Sequence, residues 1–304
     1  MSKLSHIVYV KQSEIDKTKW DDCIAESANG VIYATSNYLD HMARNWDALV
    51  MNDYETIMPL TWKTKWGITY LYQPPFTAQL GIFSRDKISE LQIEGFLSQI
   101  RKQFKFAEIF LNHENALVGL KPHDNYVLSL NKTYEQIKQG YKADLKKNLK
   151  RAGQFELNYL IPTNLIEALR LHQQQYGTRT RHLGADDYTR LENLCQDLYS
   201  KGELILRSVD NNKNELLSIA LLLKYKKRIY LLESTTTKEG RQLEANHFLL
   251  DTLIREFSEN DLLLDFVGSD IPGIAHFYKN YGSELEPYPF FYLNRLPWPL
   301  RLFK

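Results

Sequence analysis

The 304-residue sequence contains two cysteines, Cys23 and Cys195, and neither sits in a metal-ligand spacing. Neither a disulfide framework nor a thiolate metal site is expected, and both thiols read as reduced core residues. No apolar run approaches the roughly 20 residues that a transmembrane helix needs. Residues 1–10 lack the apolar centre of a signal peptide, so the cytoplasm is the expected location. Charge is nearly balanced, with 38 Lys+Arg against 37 Asp+Glu and a formal net charge of +1. That balance gives no global pull toward DNA or an anionic membrane. A Walker lysine pattern and a serine nucleophile elbow are both missing. His172, His182, His247 and His276 stand without an Asp or Cys partner at metal spacing. Thiol, metallohydrolase and phosphoryl-transfer chemistry therefore lack support, and no metal is expected.

What is present is an ordinary globular composition, 43% hydrophobic and 25% charged, in a chain long enough for two domains. Aromatics are plentiful, with 19 Tyr, 14 Phe and 5 Trp. An excess of tyrosine suits clefts with one wet and one apolar side.

The most informative stretch is 202–293. ELILRSV at 203–209 is an apolar, β-branched run. ELLSIALLLK at 215–224 and RIYLLES at 228–234 flank a turn and predict a hairpin. TTTKEGR at 235–241 reads as a polar loop. Residues 243–257 carry apolar side chains at helical spacing. LLLDFV at 262–267 predicts a strand, and Pro272 suits the first turn of a short helix that Gly282 stops. Residues 285–293 predict a closing strand.

The first half shows the same order. A strand at 7–11 and helices at 15–26 and 38–46 precede a strand at 48–51. A hairpin at 56–62 and 67–72, a loop at 73–81, a long helix at 89–104 and a strand at 107–112 follow. The residues do not repeat, so the repeat is one of architecture. The candidate boundary is 115–122, which gives modules 1–118 and 119–304. The second module opens with a strand at 126–130 and a basic helix at 137–152 bearing Lys142, Lys146, Lys147, Lys150 and Arg151. A strand at 155–161 and helices at 165–176 and 187–198 lead to the 202–293 stretch. The tail, RLPWPLRLFK at 295–304, carries two prolines that argue against a helix. Trp298, Leu300 and Phe303 are expected to pack on the body of the protein.

The order strand, hairpin, loop, long helix, strand, short helix, strand resembles the core of the GNAT acyltransferases. GSDIPGI at 268–274, followed by FYKNYG at 277–282, is similar to the C-terminal signature of the Fem-like branch of that superfamily. YKADLKKNLKRAG at 141–153 resembles the basic helix that opens the second domain there. The resemblance implies an α/β fold of tandem GNAT-like modules with mixed, mostly antiparallel sheets flanked by helices, the first module degenerate.

It also implies acyl transfer to an amine on a small molecule, an amino sugar or a peptide, with acetyl-CoA or another acyl-CoA as co-substrate. The donor would lie along Leu231, Leu232 and Ser234, with its pyrophosphate near Lys238, Gly240, Arg241, Gln242 and Leu243. Lys238 and Arg241 add positive charge there, and a helix start favours an anion. Glu244 departs from the family's glycine-rich turn and would repel a pyrophosphate. Glu233 is the candidate base and Tyr278 the candidate acid, with Tyr281 its competitor. Tyr176, Arg179 and Arg181 would hold an anionic group of the acceptor. Asp265 reads as a buried structural partner of a basic residue. Ser269 and Asp270 read as caps of the short helix. Two rival readings accompany this one. The first is aminoacyl transfer from tRNA to a cell-wall precursor. The second is a non-catalytic binding protein that keeps the fold.

Overall fold

The computed structural model describes residues 6–303 except Thr163, residues 177–182 and Ser269. Two compact units form, one from 1–123 together with 287–304 and one from 124–286.

The first unit begins with β1 (Ile7–Val10), α1 (Lys17–Glu26), α2 (Ser36–Met42), β2 (Trp46–Met51) and β3 (Thr56–Lys65). It continues with β4 (Ile68–Leu71), β5 (Phe83–Ser84), α3 (Glu90–Gln103), β6 (Phe106–Phe110) and β7 (Lys121–His123). Asp16 caps α1 by accepting from the N–H groups of Thr18 and Lys19. Ser89 and Gln92 close a capping box on α3. The second predicted helix differs from expectation. Thr35 caps α2, which begins at Ser36 and ends at Met42 rather than Trp46. Trp46 belongs to β2 instead, paired with Thr61, and its ring lies 5.1 Å from that of Trp20. Both indoles are fully buried. Burying a large apolar side chain contributes about 1.5–3 kcal/mol, more than a helix turn gains from propensity.

The second unit contains β8 (Tyr126–Ser129), α4 (Tyr134–Gln139), α5 (Ala143–Ala152), β9 (Asn158–Leu160) and α6 (Leu165–Tyr176). Then come α7 (Ala185–Ser200), β10 (Leu204–Asp210), β11 (Leu216–Tyr225), β12 (Arg228–Thr236) and α8 (Lys238–Gln242). α9 (Ala245–Phe257), β13 (Leu263–Asp265), α10 (Pro272–Lys279) and β14 (Glu284–Leu285) complete it. The sheet order is β14-β8-β13-β12-β11-β10-β9, antiparallel except between β12 and β13. β11 is central and buried from Leu217 to Leu223, which is why its sequence is a continuous apolar run rather than an alternating one. Leu249, Leu253 and Ile254 of α9 meet Leu222, Ile229, Leu264 and Phe266 in one core.

Two predicted elements are corrected. The basic helix expected over 137–152 is two helices, because the chain turns at Gly140. There Gly140 and Gly282 bring their backbones together. A Cβ on Gly282 would lie 2.9 Å from the Gly140 carbonyl oxygen, and Gly282 has φ +74°. The Lys142 N–H donates to the Asn280 carbonyl at 2.9 Å across the same contact. The polar loop expected at 235–241 is also largely ordered. β12 runs to Thr236, and the one-turn helix α8 begins behind its cap Thr237.

The C-terminal strand is the larger difference. The single strand expected at 285–293 splits at Pro287, which has no N–H to continue a ladder. β14 stays in the second unit on β8. β15 (Tyr288–Asn294) belongs to the first unit, antiparallel to both β6 and β7. The first sheet therefore has the order β1-β2-β3-β4-β6-β15-β7, with β5 on β3. The units share one device. In each, a long helix separates two strands that run parallel, β4 and β6 around α3, β12 and β13 around α9. The fold is a tandem of GNAT-like modules whose sheets are mostly antiparallel.

Candidate active site

The parallel pair in the second unit is short. β12 meets β13 only from Arg228 to Tyr230. Beyond that point β12 runs on to Thr236 with β11 as its partner on the other side. Leu231 to Thr235 thus present a strand edge with no neighbouring strand among the described residues. Leu232 is an extra residue in this stretch, since Leu231 pairs with Leu222 and Glu233 with Leu221. Such a bulge bends the strand and re-aims the side chain that follows.

That side chain is Glu233. Its Oε2 lies 2.7 Å from Nε2 of His172 on α6, with side chains only 21% and 8% exposed. His172 Nδ1 in turn lies 3.2 Å from the Tyr188 hydroxyl on α7. A carboxylate only accepts, so Nε2–H is the donor to Glu233. In the neutral ring Nδ1 then accepts from the Tyr188 O–H. The chain Tyr188–His172–Glu233 holds one carboxylate oxygen, and no described residue binds the other. His172 shows no motif in the sequence. The available signal was its spacing, four residues after buried Ala168 on the inward face of α6.

The turn after β12 is already occupied by its own residues. The Gly240 N–H donates to Thr237 Oγ1 at 3.0 Å, that of Arg241 to the Thr237 carbonyl and that of Leu243 to the Glu239 carbonyl. Gly240 is a glycine because α8 lies against β11, where a Cβ would come within 2.3 Å of the Leu217 carbonyl oxygen. The Arg241 guanidinium donates to the Thr236 carbonyl at 2.7 Å. Lys238 is exposed. Ser234 Oγ donates to Asn246 Oδ1 at 2.8 Å in the first turn of α9.

Glu244 stands at the cap of α9 in the left-handed region, φ 58° and ψ 28°. Its Oε2 lies 2.9 Å from His247 Nδ1, and its Oε1 accepts from Arg151 at 3.2 Å. Arg151 also donates to the Gln242 carbonyl at 3.1 Å. His247 Nε2 meets Asn148 Nδ2 at 3.2 Å. Burial pushes the His247 imidazole below its usual value, against the opposing pull of Glu244. The start of α9 thus already carries a negative charge, held in place by a basic one. The N–H groups of Gly240, Arg241 and Leu243 are committed within the turn, and a carboxylate stands at the start of α9, which disfavours a diphosphate there.

Tyr278 and Tyr281 separate cleanly. Tyr281 is fully buried, its hydroxyl donates to the His247 carbonyl at 3.4 Å, and burial raises its phenol well above the ordinary value. Tyr278 is half-buried, with its ring stacked on Phe266 at 4.6 Å. Asp265 is the structural partner that its apolar strand suggested. It accepts from Arg228 at 2.8 Å and from the Val267 N–H at 2.8 Å, while Arg228 also binds Glu286 through two nitrogens. Burial raises the Asp265 carboxyl despite Arg228. Burial also works against the Arg228 charge, but Glu286 and Asp265 outweigh it and the guanidinium is raised.

Asp270 does not cap α10, whose cap position is Ile271; it accepts from the Asp124 N–H at 3.1 Å. Ser269, Arg179 and Arg181 lie outside the described residues, as does the side chain of Tyr176, the last residue of α6. Both cysteines are buried, and burial pushes the Cys195 thiol up to about 12. No cluster of three or more His, Cys, Asp or Glu side chains suited to a metal occurs among the described residues.

Residues 139–280 match the family model described as the acetyltransferase (GNAT) domain. A crystal structure of FemX superposes with a TM-score of 0.67 at 13% identity, covering 98% of this chain and 99% of that one. The chain has the two-module fold of the Fem-like GNAT proteins. L-PGS from Bacillus licheniformis superposes with a TM-score of 0.55 at 11% identity, covering 95% of each chain. A protein of unknown function from Bacteroides thetaiotaomicron gives a TM-score of 0.58 at 10% identity, over 92% of this chain and 98% of that one. A sequence search of curated proteins finds no match. No described helix is long and apolar enough to cross a membrane.

Proposed function

We propose that the second unit transfers an acyl group to an amine at the free edge of β12, with Glu233 as general base. The observation that carries this reading is the Glu233–His172 contact of 2.7 Å beside an unpaired strand edge and a bulge. In this reading the free carboxylate oxygen of Glu233 takes a proton from the acceptor ammonium. The amine nitrogen then attacks the acyl carbon, and unpaired backbone groups of the edge meet the developing oxyanion. The bond from the acyl carbon to the leaving atom breaks as Tyr278 donates its proton there. An unperturbed phenol has a pKa near 10 and holds its proton at neutrality. Tyr176, Arg179 and Arg181 remain the proposed contacts for an anionic part of the acceptor.

The donor is the finer question. The expected acyl-CoA would set its diphosphate on the α8–α9 turn, where Glu244 already binds Arg151 and His247. That geometry favours the second reading, a Fem-type donor that brings no diphosphate to the turn, such as an aminoacyl ester of tRNA. Lys146, Lys147 and Lys150, all exposed on α5, supply charge for phosphodiesters.

The test offers acetyl-CoA and aminoacyl-tRNA in turn, each with a panel of amino sugars and peptides, to wild-type protein and to Glu233→Gln. Transfer from one donor that Glu233→Gln abolishes supports the reading. Transfer untouched by that substitution, or absent with every donor, overturns it.

A further inference from the structure

The first unit carries a surface that acyl transfer does not use. β3 and β4 turn through Trp66 and Gly67, with φ of 52° and 74°. Two positive φ values at these central positions make a tight hairpin turn that favours Asn or Asp followed by Gly. A bulky aromatic in the left-handed region costs about 1 kcal/mol or more, yet this one is 72% exposed. Nothing in the core explains an indole there. Beside it lies a cavity of about 260 Å³ floored by Ile68, Tyr70, Phe106, Leu296 and Leu300. Lys65 and Trp66 form its rim, with the Lys65 ammonium 4.6 Å from the indole.

The tail supplies the rest of this surface. Leu296 and Leu300 line the cavity, but Trp298 between them, expected to pack on the body, is 81% exposed. Arg301 follows on the exposed side of the short 3-10 turn Leu300–Phe303. The aromatic floor extends from Tyr70 to Phe106 at 6.0 Å and on to Tyr292 at 5.9 Å, itself 47% exposed. Glu108 lies two residues from Phe106 on the same sheet face.

We infer that this surface docks on an anionic lipid bilayer, with Trp66 and Trp298 entering the headgroup region and Lys65 and Arg301 facing the lipid phosphates. Indoles partition to that depth because the ring is amphipathic. Basic side chains are drawn to the negative potential of an anionic leaflet within a Debye length of its surface. The net charge of +1 offers no general attraction, so the pull is local to this rim. The cavity floor offers one hydroxyl, Tyr70, which is too little polarity to orient a sugar. Two exposed indoles, one with a lysine at its side and one three residues before an exposed arginine, suit a fluid charged surface. The inference does not depend on the acyl-transfer reading.

Full-length protein sedimented with vesicles of phosphatidylcholine containing about 30 mol % phosphatidylglycerol should bind, and about 0.5 M salt should release it. Pure phosphatidylcholine vesicles should bind roughly tenfold less. Trp66→Ala/Trp298→Ala should weaken binding roughly tenfold or more at an unchanged melting temperature, since both rings are exposed. Lys65→Glu/Arg301→Glu should remove the preference for phosphatidylglycerol. Failure of the wild type to bind mixed vesicles, or full binding by the double tryptophan variant, overturns the inference. So would a fluorescence response to a soluble oligosaccharide, or self-association lost in that variant, if vesicles were ignored.

Discussion

His172 holds Glu233 at 2.7 Å from a different layer of the second unit: one residue sits on helix α6, the other on the bulged strand β12. The contact uses one carboxylate oxygen, and no described residue binds the other. In the proposed transfer, a base held this way keeps its direction as the acceptor arrives.

His172→Ala should therefore lower kcat by roughly 10–100-fold with little change in KM for the donor, the usual range for losing a group that orients a functional side chain. Glu233→Gln should cost more, roughly 10²–10⁴-fold. Steady-state kinetics with whichever donor supports transfer would measure both. Equal losses in kcat and in thermal stability for His172→Ala would mean that the histidine only holds the fold.

The two tyrosines of the C-terminal signature should part company. Tyr278→Phe should reduce turnover by roughly 10²–10⁴-fold while leaving donor affinity unchanged. Tyr281→Phe removes a hydroxyl whose contact with His247 is a long 3.4 Å, and should leave turnover within about threefold. If Tyr278→Phe turned over like wild type, the acid would be another group.

Glu244→Gly should create affinity for CoA. Glycine suits the left-handed backbone at this position, and its carboxylate no longer stands at the α9 start. Freed Arg151 can then meet a phosphate, a charged hydrogen bond worth about 1.5–3 kcal/mol. Calorimetry with CoA should show binding by the variant at least roughly tenfold tighter than wild type. Tight CoA binding by the wild type, or none by either protein, would contradict this account of the turn.

His247 should make stability fall in mild acid. Its pKa in the folded protein lies below the ordinary value of about 6.5, chiefly through burial. As pH falls, the unfolded chain takes up the proton first. The contribution is thus fully present above about 6.5 and is lost as pH drops toward the folded-state value, with a slope of at most about 1.4 kcal/mol per pH unit. Urea unfolding between pH 7 and 5 should show this loss, and His247→Phe should flatten it. The groups that face His247 are Glu244, through it Arg151, and Asn148. An unchanged slope in the variant would assign the effect elsewhere.

Local patterns were readable in the sequence where local physics decides the outcome. The β11–β12 hairpin follows from two apolar runs around a turn, and α3 and α9 follow from their spacing and, for α3, the Ser89 cap. Glu244 was visible as a misplaced carboxylate. What stayed hidden depends on contacts distant in sequence. Residues 137–152 have helical spacing throughout, and only the approach of Gly282 explains the break at Gly140. His172 and Glu233 are separated by two strands and a helix, so their pairing leaves no spacing to read. Trp298 is apolar and lies near leucines, yet the tail turns it outward.

The placement of β15 between β6 and β7 bears on how the protein is made. The first unit emerges from the ribosome first but lacks an interior strand of its sheet. β6 and β7 have no bridge between them until the whole of 124–286 has been synthesised. At about 5–20 residues per second, that leaves two open sheet edges exposed for on the order of ten to thirty seconds. Only at the end of that interval, when Glu284–Leu285 has been made, does the second unit have all its strands, and β15 follows within a few residues. A nascent chain halted before Tyr288 would hold every strand of the second sheet together with an unclosed first sheet, the kind of edge on which chains aggregate.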